Sequence, residues 1–335
     1  MWRLQRMSTP KKIAGTMIIP VLTFVILEII CLAHGGNIIA NGKSFDNFIV
    51  YTAIVMLTTI ALSVNLNSGR FDFSLGSMAA LSSIIGAKIS YAILGGGSGS
   101  AALMLILTIV AGAILGLASG LIYVLLRIPP IITSLGVTLL YEGIMYTITS
   151  GKYVMTEVQN TSMSGFAGTW VYAALIIVAV LVLTILLFDH TRFGYDYRAL
   201  RDGQKVAVNT GIREVPNAVI CYTFCGALMG IVGFLNAARN TTINGGQLNF
   251  GSIAIMFTAF LPMFIGSYIS RFSNEKLGFL LAAVCMSLLN STFAVLSNEV
   301  TASTQSIINA VLLVVFLIYL NNEKLLMKIL FKRIR

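Results

Sequence analysis

Two carboxylates, Glu28 and Glu142, stand inside long apolar runs of the sequence. An acid at the centre of a membrane helix costs roughly 2.5 to 3.5 kcal/mol, so such a group faces the interior of a helix bundle or a water-filled path. Glu142 lies well within its run, and both a place on a solute path and a hydrogen bond to a neighbouring helix suit it. Glu28 is close enough to the end of its run to reach water. A second polar group, Asn65, Asn67, Ser68, Gly69, Asp72 and Ser74, breaks the hydrophobicity between two runs. Backbone that leaves regular helix at membrane depth persists only where protein or a water-filled cavity covers it, and a cavity is what a transporter needs. The structural alternative is a polar turn closed by a local Arg70–Asp72 ion pair. Asn236 and Arg239, near the end of a later run, suit contact with a solute or with an external protein.

Covalent chemistry finds less support. His34 and His190, the two histidines of the chain, fall at opposite faces once the apolar runs are threaded through a membrane, so no catalytic residue is assigned. Cys31, Cys221, Cys225 and Cys285 lie in apolar runs without a C-x-x-C pair and read as small core residues, with neither a metal site nor a disulfide framework. Gly42-Lys43-Ser44 is like the end of a phosphate-binding loop, but a Walker A motif needs glycine at position 37, where the chain has Asn37, and no strand is expected before it. No cofactor is expected, and any ATP must be used by a separate subunit.

The elements that must position these residues are membrane helices. With 57% hydrophobic and 10% charged residues, against about 25% charged in ordinary soluble domains, the chain takes lipid as its solvent. Ten runs approach the roughly 20 apolar residues that cross a hydrocarbon core. They are Ile13 to Ala33, Phe48 to Val64, Leu75 to Leu94, Ala101 to Leu126, Ile131 to Thr149, Trp170 to Phe188, Pro216 to Ala237, Ile253 to Ser270, Leu277 to Leu296 and Thr304 to Leu320. The reading is an all-α integral membrane protein of about ten transmembrane helices, with residues 1–335 forming one domain. Outer connections read as polar turns, notably Gly95 to Ser100 and Gly151 to Thr169. The net charge of +10 is spread over short connections, which speaks against a nucleic-acid surface.

Placing both termini in the cytoplasm puts Arg3, Arg6, Lys11, Lys12 and the closing Lys324, Lys328, Lys332, Arg333 and Arg335 inside. Of the 22 Lys and Arg, only Lys43, Lys88, Lys152 and Arg239 then lie at or near the outer side, as the positive-inside rule requires. The basic start reads as an uncleaved first helix, because Cys31-Leu32-Ala33-His34 lacks an A-x-A cleavage site. Glycines repeat at four-residue intervals in Gly112-Gly116-Gly120 and Gly226-Gly230, a spacing that lets helices approach closely in lipid.

The longest inner loop, residues 189–215, places Val206, Ala207 and Val208 among charges between Arg201 and Asn209. That pattern predicts a short helix lying across the membrane face, closed by Gly211 as its C-cap and open to a soluble partner. An ordinary basic loop held by anionic headgroups is the plainer alternative. The segment resembles the coupling loop of permease subunits from ribose-type sugar ABC importers: His190-Thr191-Arg192-Phe193-Gly194, Arg198-Ala199-Leu200, and Ala207 through Gly211-Ile212 match its pattern. Asn67-Ser68-Gly69-Arg70-Phe71-Asp72-Phe73-Ser74-Leu75-Gly76-Ser77 is similar to the family's second motif, G-G-x-D-L-S-V-G-S. Where relatives carry a glycine-rich run between the eighth and ninth helices, most glycines are absent from Gly266 to Gly278.

The resemblance implies a type II ABC importer permease-like bundle in the bacterial inner membrane, bedded in lipid and moving a monosaccharide or similar small polar solute. It implies cytoplasmic ABC ATPase subunits, a second permease subunit that is a copy or a relative, and an extracytoplasmic substrate-binding protein. On this reading Arg198, Arg201, Gln204, Ala207 and Gly211 couple to the ATPase, while Asn65, Asn67, Asp72, Ser74 and Glu142 flank the substrate path. The competing reading is a secondary transporter, which needs coupling-ion residues in paired broken helices; only Glu142 and one interrupted hairpin are candidates. An intramembrane enzyme fits least. Cysteines introduced between Arg201 and Gly211 should be protected in intact cells from thiol reagents that cannot cross the membrane; their modification would invert the topology.

Overall fold

The computed structural model describes residues 9–95, 99–155, 169–240, 242–297 and 299–332. Arg3, Arg6, Arg333 and Arg335, and most of the expected outer turns at 96–98 and 156–168, lie outside the described residues. Among the described residues nine helices are long and apolar enough to cross a membrane. They are α1 (Thr9–Ala33), α2 (Gly42–Asn67), α3 (Leu75–Leu94), α4 (Ser100–Leu126), α5 (Pro130–Thr149), α6 (Trp170–Asp189), α8 (Glu214–Asn240), α11 (Glu275–Val295) and α12 (Ala302–Lys332). The amphipathic α7 (Arg192–Asn209) lies between α6 and α8.

The tenth expected span, Ile253 to Ser270, is instead two short helices, α9 (Ile253–Phe257) and α10 (Phe260–Ile269). Pro262 supplies the reason. It has no N–H to give to the carbonyl four residues back, so the helix stops and restarts with proline in its first turn. The whole segment, Ile253–Ile269, is 17 residues, roughly 25 Å of helix against a core of about 30 Å. One strand pair completes the structure: β1 (Tyr153–Met155) runs antiparallel to β2 (Thr242–Asn244), with Val154 opposite Ile243.

The chain packs as two compact units, residues 41–259 and residues 1–40 with 260–335. In the first, α2 is buried continuously from Thr52 to Asn65, packed against α6 and α8. Three of its buried hydroxyls are satisfied by their own helix: Thr52, Thr58 and Ser63 donate to the carbonyls of Phe48, Ile54 and Ile60. The crossing of α4 and α8 rests on the glycines expected to do so. A Cβ at Gly112 would run into the Gly226 carbonyl, and one at Gly226 into the Gly112 carbonyl.

This unit has two polar ends. At one end Tyr197 Oη donates to the Val64 carbonyl at 3.0 Å and Arg70 faces Glu214. Arg127, Arg192, Arg198, Arg201, Lys205 and Arg213 lie on the connections at this end. At the other, Lys88 Nζ donates to the Ile148 carbonyl at 2.8 Å, the Trp170 amide donates to Asp46, and the strands pair. Gly42-Lys43-Ser44 forms the first turn of α2, capped by Asn41, whose side chain accepts from the Ser44 amide.

In the second unit α11 packs against α1 and α10, and α10 also packs against α1 and α12. The two glycines kept at the ends of the 266–278 stretch meet face to face, since a Cβ on Gly278 would strike the Gly266 carbonyl. Glu28 reaches the chain as well as water, its Oε2 accepting from the Ile38 amide at 3.2 Å. All four cysteines are free and buried. Replacing Gly226 with leucine should overpack the α4–α8 crossing by about 1 to 3 kcal/mol or abolish folded protein, read as a lowered melting temperature in detergent, whereas Gly136→Ala, with open space at its Cβ, should be neutral.

Candidate functional site

The 65–74 connector is a closed polar knot. Asn65, Asp72 and Ser74 are each 0% exposed. Asp72 Oδ1 accepts from the Ser74 amide at 2.8 Å and from Ser74 Oγ at 2.6 Å, and its Oδ2 accepts from Asn65 Nδ2 at 3.3 Å. Burial pushes the Asp72 carboxyl up to about 6, with the two Ser74 hydrogen bonds pulling it back. Asn67 is exposed at the end of α2. The local ion pair that the sequence allowed between Arg70 and Asp72 is replaced by a longer-range one: Arg70 Nη2 lies 3.7 Å from Glu214 Oε1 at the start of α8.

Glu142 is 1% exposed and belongs to another construction. Its Oε1 accepts from the Ser252 amide at 2.9 Å and Ser252 Oγ at 2.6 Å, and its Oε2 from the Phe250 amide at 2.9 Å. It thereby holds the backbone that leads into α9, where no helical partner exists for those N–H groups. Gly76 completes this joint, because a Cβ there would occupy the Ser252 carbonyl. Of the two uses open to Glu142 from sequence, the geometry gives it the interhelical one.

None of the five expected path residues lines the polar cavity of this unit. That cavity, of about 360 Å³, is bounded by Ala79, Ala80 and Ser83 of α3, Gly233, Asn236, Ala237 and Asn240 of α8, Tyr153, Thr242, Ile243, Asn244, Gln247 and Ile255. Its volume is in the range of small-molecule sites. Among the described residues, four amides and three hydroxyl side chains line it and no Asp, Glu, Lys, Arg or His does. Gln247 Oε1 is buried without a hydrogen-bond partner. Asn244 Oδ1 is held by the Gly246 amide at 2.9 Å, which leaves its NH₂ as the group on offer. Arg239 is turned to the ring of Tyr51, 4.7 Å from its centroid. Only Asn236 of this set stood out in the sequence; the rest come together through the β1–β2 pairing, for which no sequence pattern was visible. A second cavity, of about 460 Å³, lies among α1, α10, α11 and α12 and is largely apolar, a surface suited to lipid chains.

At the opposite end of the unit, the loop expected to couple is helical and broken. The backbone of α7 leaves helical geometry at Gly203 and resumes to Asn209. Gly211 follows with φ +94°, while the Ile212 and Gly211 amides donate to the carbonyls of Ala207 and Val208, a glycine-dependent closure of the kind expected. Arg198 is paired with Asp189 at 3.9 Å and lies over the Tyr195 ring; Arg201 touches Asp202. Gln204 Nε2 donates to Glu214 Oε1 at 2.6 Å. Ala207 is 4% exposed and faces the protein, whereas Val206 is 69% exposed. Val206 and, less fully, Val208 are thus the apolar groups presented outward.

The nine long apolar helices among the described residues are those of a multi-pass membrane protein. Over residues 44–320 the chain matches the family described as branched-chain amino acid transport system / permease component. The chain belongs to that family. It is 22% identical to the ribose import permease protein RbsC of Escherichia coli K12 over 83% of this chain and 85% of the relative. It is 23% identical to the galactofuranose transporter permease protein YtfT of the same strain, over 74% and 72%. A shorter stretch, 38% of each chain, is 31% identical to the autoinducer 2 import system permease protein LsrC of Klebsiella pneumoniae. No solved structure gives a significant match.

Glu142→Ala strands two backbone donors and a hydroxyl, so it should cost about 2 to 5 kcal/mol, seen as a lower melting temperature in detergent, with the solute affinity of the surviving folded protein unchanged. A raised KM at unchanged stability would put the carboxylate on the solute path instead.

Proposed function

We propose that this chain is the permease subunit of an ABC importer that carries a neutral, polyhydroxylated solute of monosaccharide size into the bacterial cytoplasm. The observation that carries the substrate class is the amide-lined cavity, whose lining among the described residues bears no charged side chain. A branched-chain amino acid is a zwitterion, and taking its two charges into a site without counter-charges is costly. Sugar hydroxyls donate and accept at once, and Asn236, Asn240, Asn244 and Gln247 offer amide donors beside carbonyl acceptors. The names of the relatives, import permeases for ribose, galactofuranose and autoinducer 2, point the same way. An ion-coupled mechanism has no such support.

In this reading the chain acts as one permease domain in the inner membrane with both termini cytoplasmic, beside a second permease subunit. The end bearing Arg127, Arg198 and Arg201 faces the cytoplasm, and an ATPase grips α7 there through its outward groups around Val206. The end bearing Lys88 and Arg239 faces outward, where a binding protein delivers solute to the amide-lined cavity. ATP is used by the partner, and this chain performs no covalent chemistry. Charge reversal at Arg201 should weaken ATPase association without affecting membrane insertion.

The test is uptake into cells by the chain with its accompanying subunits, using radiolabelled D-ribose, D-galactose and L-leucine. Sugar uptake is expected, with KM raised about five- to tenfold by Gln247→Ala or Asn236→Leu. Uptake of leucine in preference to both sugars would overturn the substrate assignment.

A further inference from the structure

Taking the α7 end to be the surface that an ATPase grips, as proposed above, we infer that Glu214 is a positioning residue that passes movement of the 204–209 helix to the 65–74 connector. The carboxylate stands between the two. Its Oε1 accepts from Gln204 Nε2 at 2.6 Å and lies 3.7 Å from Arg70 Nη2. Arg70 is 2% exposed, and neither its Nε nor its Nη1 finds an acceptor. Its charge, removed from water, is therefore answered by Glu214, and breaking one side of such a pair is strongly unfavourable. Arg70 is part of the connector, its amide donating to the Asn65 carbonyl at 2.9 Å while the Asn65 side chain donates to Asp72. Where the guanidinium goes, the knot follows.

The geometry also separates a fixed from a movable half of α7. Tyr197 precedes the break at Gly203 and is tied to the Val64 carbonyl at 3.0 Å. Gln204 follows the break, so residues 204–209 can turn while Arg192–Asp202 stays anchored. On the far side Gly211, at φ +94°, separates that helix from Glu214, the first residue of α8. Gln204 and Arg70 address the same oxygen, and at 3.7 Å the ion pair is well beyond the roughly 2.7 to 2.9 Å of a charge-assisted hydrogen bond. Withdrawal of Gln204 frees the carboxylate to close on Arg70. Its return draws the carboxylate away. Two arrangements of one oxygen are the bistable element that coupling between distant sites requires.

The experiment uses the tagged full-length chain, purified from native membranes with the subunits that accompany it and placed in lipid nanodiscs. Hydrogen exchange of peptides covering 204–211 and 65–74 is followed on adding Mg-ATP with vanadate. In the wild type both peptides should respond. In Glu214→Gln, and separately in the exposed variant Gln204→Ala, the 204–211 response should persist while the 65–74 response falls roughly tenfold, the size of a typical coupling free energy. Combining the two variants should add nothing. A 65–74 response that survives in both single variants overturns the relay, as does a wild type in which 204–211 responds and 65–74 does not. If Glu214→Gln fails to fold, Gln204→Ala alone decides. A wild type with which no ATPase copurifies overturns the importer reading, and the relay falls with it.

Discussion

A backbone N–H away from water must find an acceptor within the protein, and at the entry to the broken 253–269 segment the carboxylate of Glu142 is that acceptor. Pro262 favours the break, because it gives no N–H to the carbonyl four residues back, although α1 runs on through Pro20. Without an acceptor from α5, the turn before Ile253 would hold unpaired polar groups in a buried setting. Much else is attached to this joint. Gly76 of α3 closes on the Ser252 carbonyl, and Ile255 of α9 forms part of the cavity wall. An acid inside an apolar span is costly in isolation; three donors offset that cost by converging on it.

Two helices connect the polar ends of the larger unit. α3 begins at Leu75, directly after the Asp72–Ser74 knot, and contributes Ala79, Ala80 and Ser83 to the cavity. α8 begins at Glu214, beside Gln204 and Arg70, and contributes Gly233, Asn236 and Asn240. The elements that wall the cavity are thus the ones whose first residues meet the α7 end. Their packing against α4 and against each other runs through glycine contacts with no spare volume, so a displacement at one terminus is carried along a rigid rod. A family that moves small solutes needs such a connection between its soluble face and its binding face.

Much of the fold was legible in the chain. Nine of ten expected spans appear, most with boundaries within a few residues, though α2 begins at Gly42 and α12 continues to Lys332, since a run of about 20 apolar residues has few other stable fates. The glycine spacing in α4 and α8 foretold their crossing, and the cysteines are buried as their surroundings required. The expected tenth span appears as a shorter apolar segment of two helices, with Pro262 in the first turn of the second. For the site, Asn65, Asp72 and Ser74 were seen as a group, yet their mutual hydrogen bonds make a joint rather than a cavity wall. Ala207 was assigned to the partner face, but the break at Gly203 sets the rotation of the following turn and turns it inward.

What the sequence determined by itself was the solvent of the protein, its helical class, and the segments with polar or flexible character, because transfer energy, proline and glycine act locally along the chain. Only the tertiary structure decided which polar groups meet. Glu142 and Ser252 are 110 positions apart, and Arg70 and Glu214 come from separate helix boundaries. Pairings across such distances depend on how helices cross, which is settled by side-chain volume at their contacts and leaves no local mark in composition or spacing.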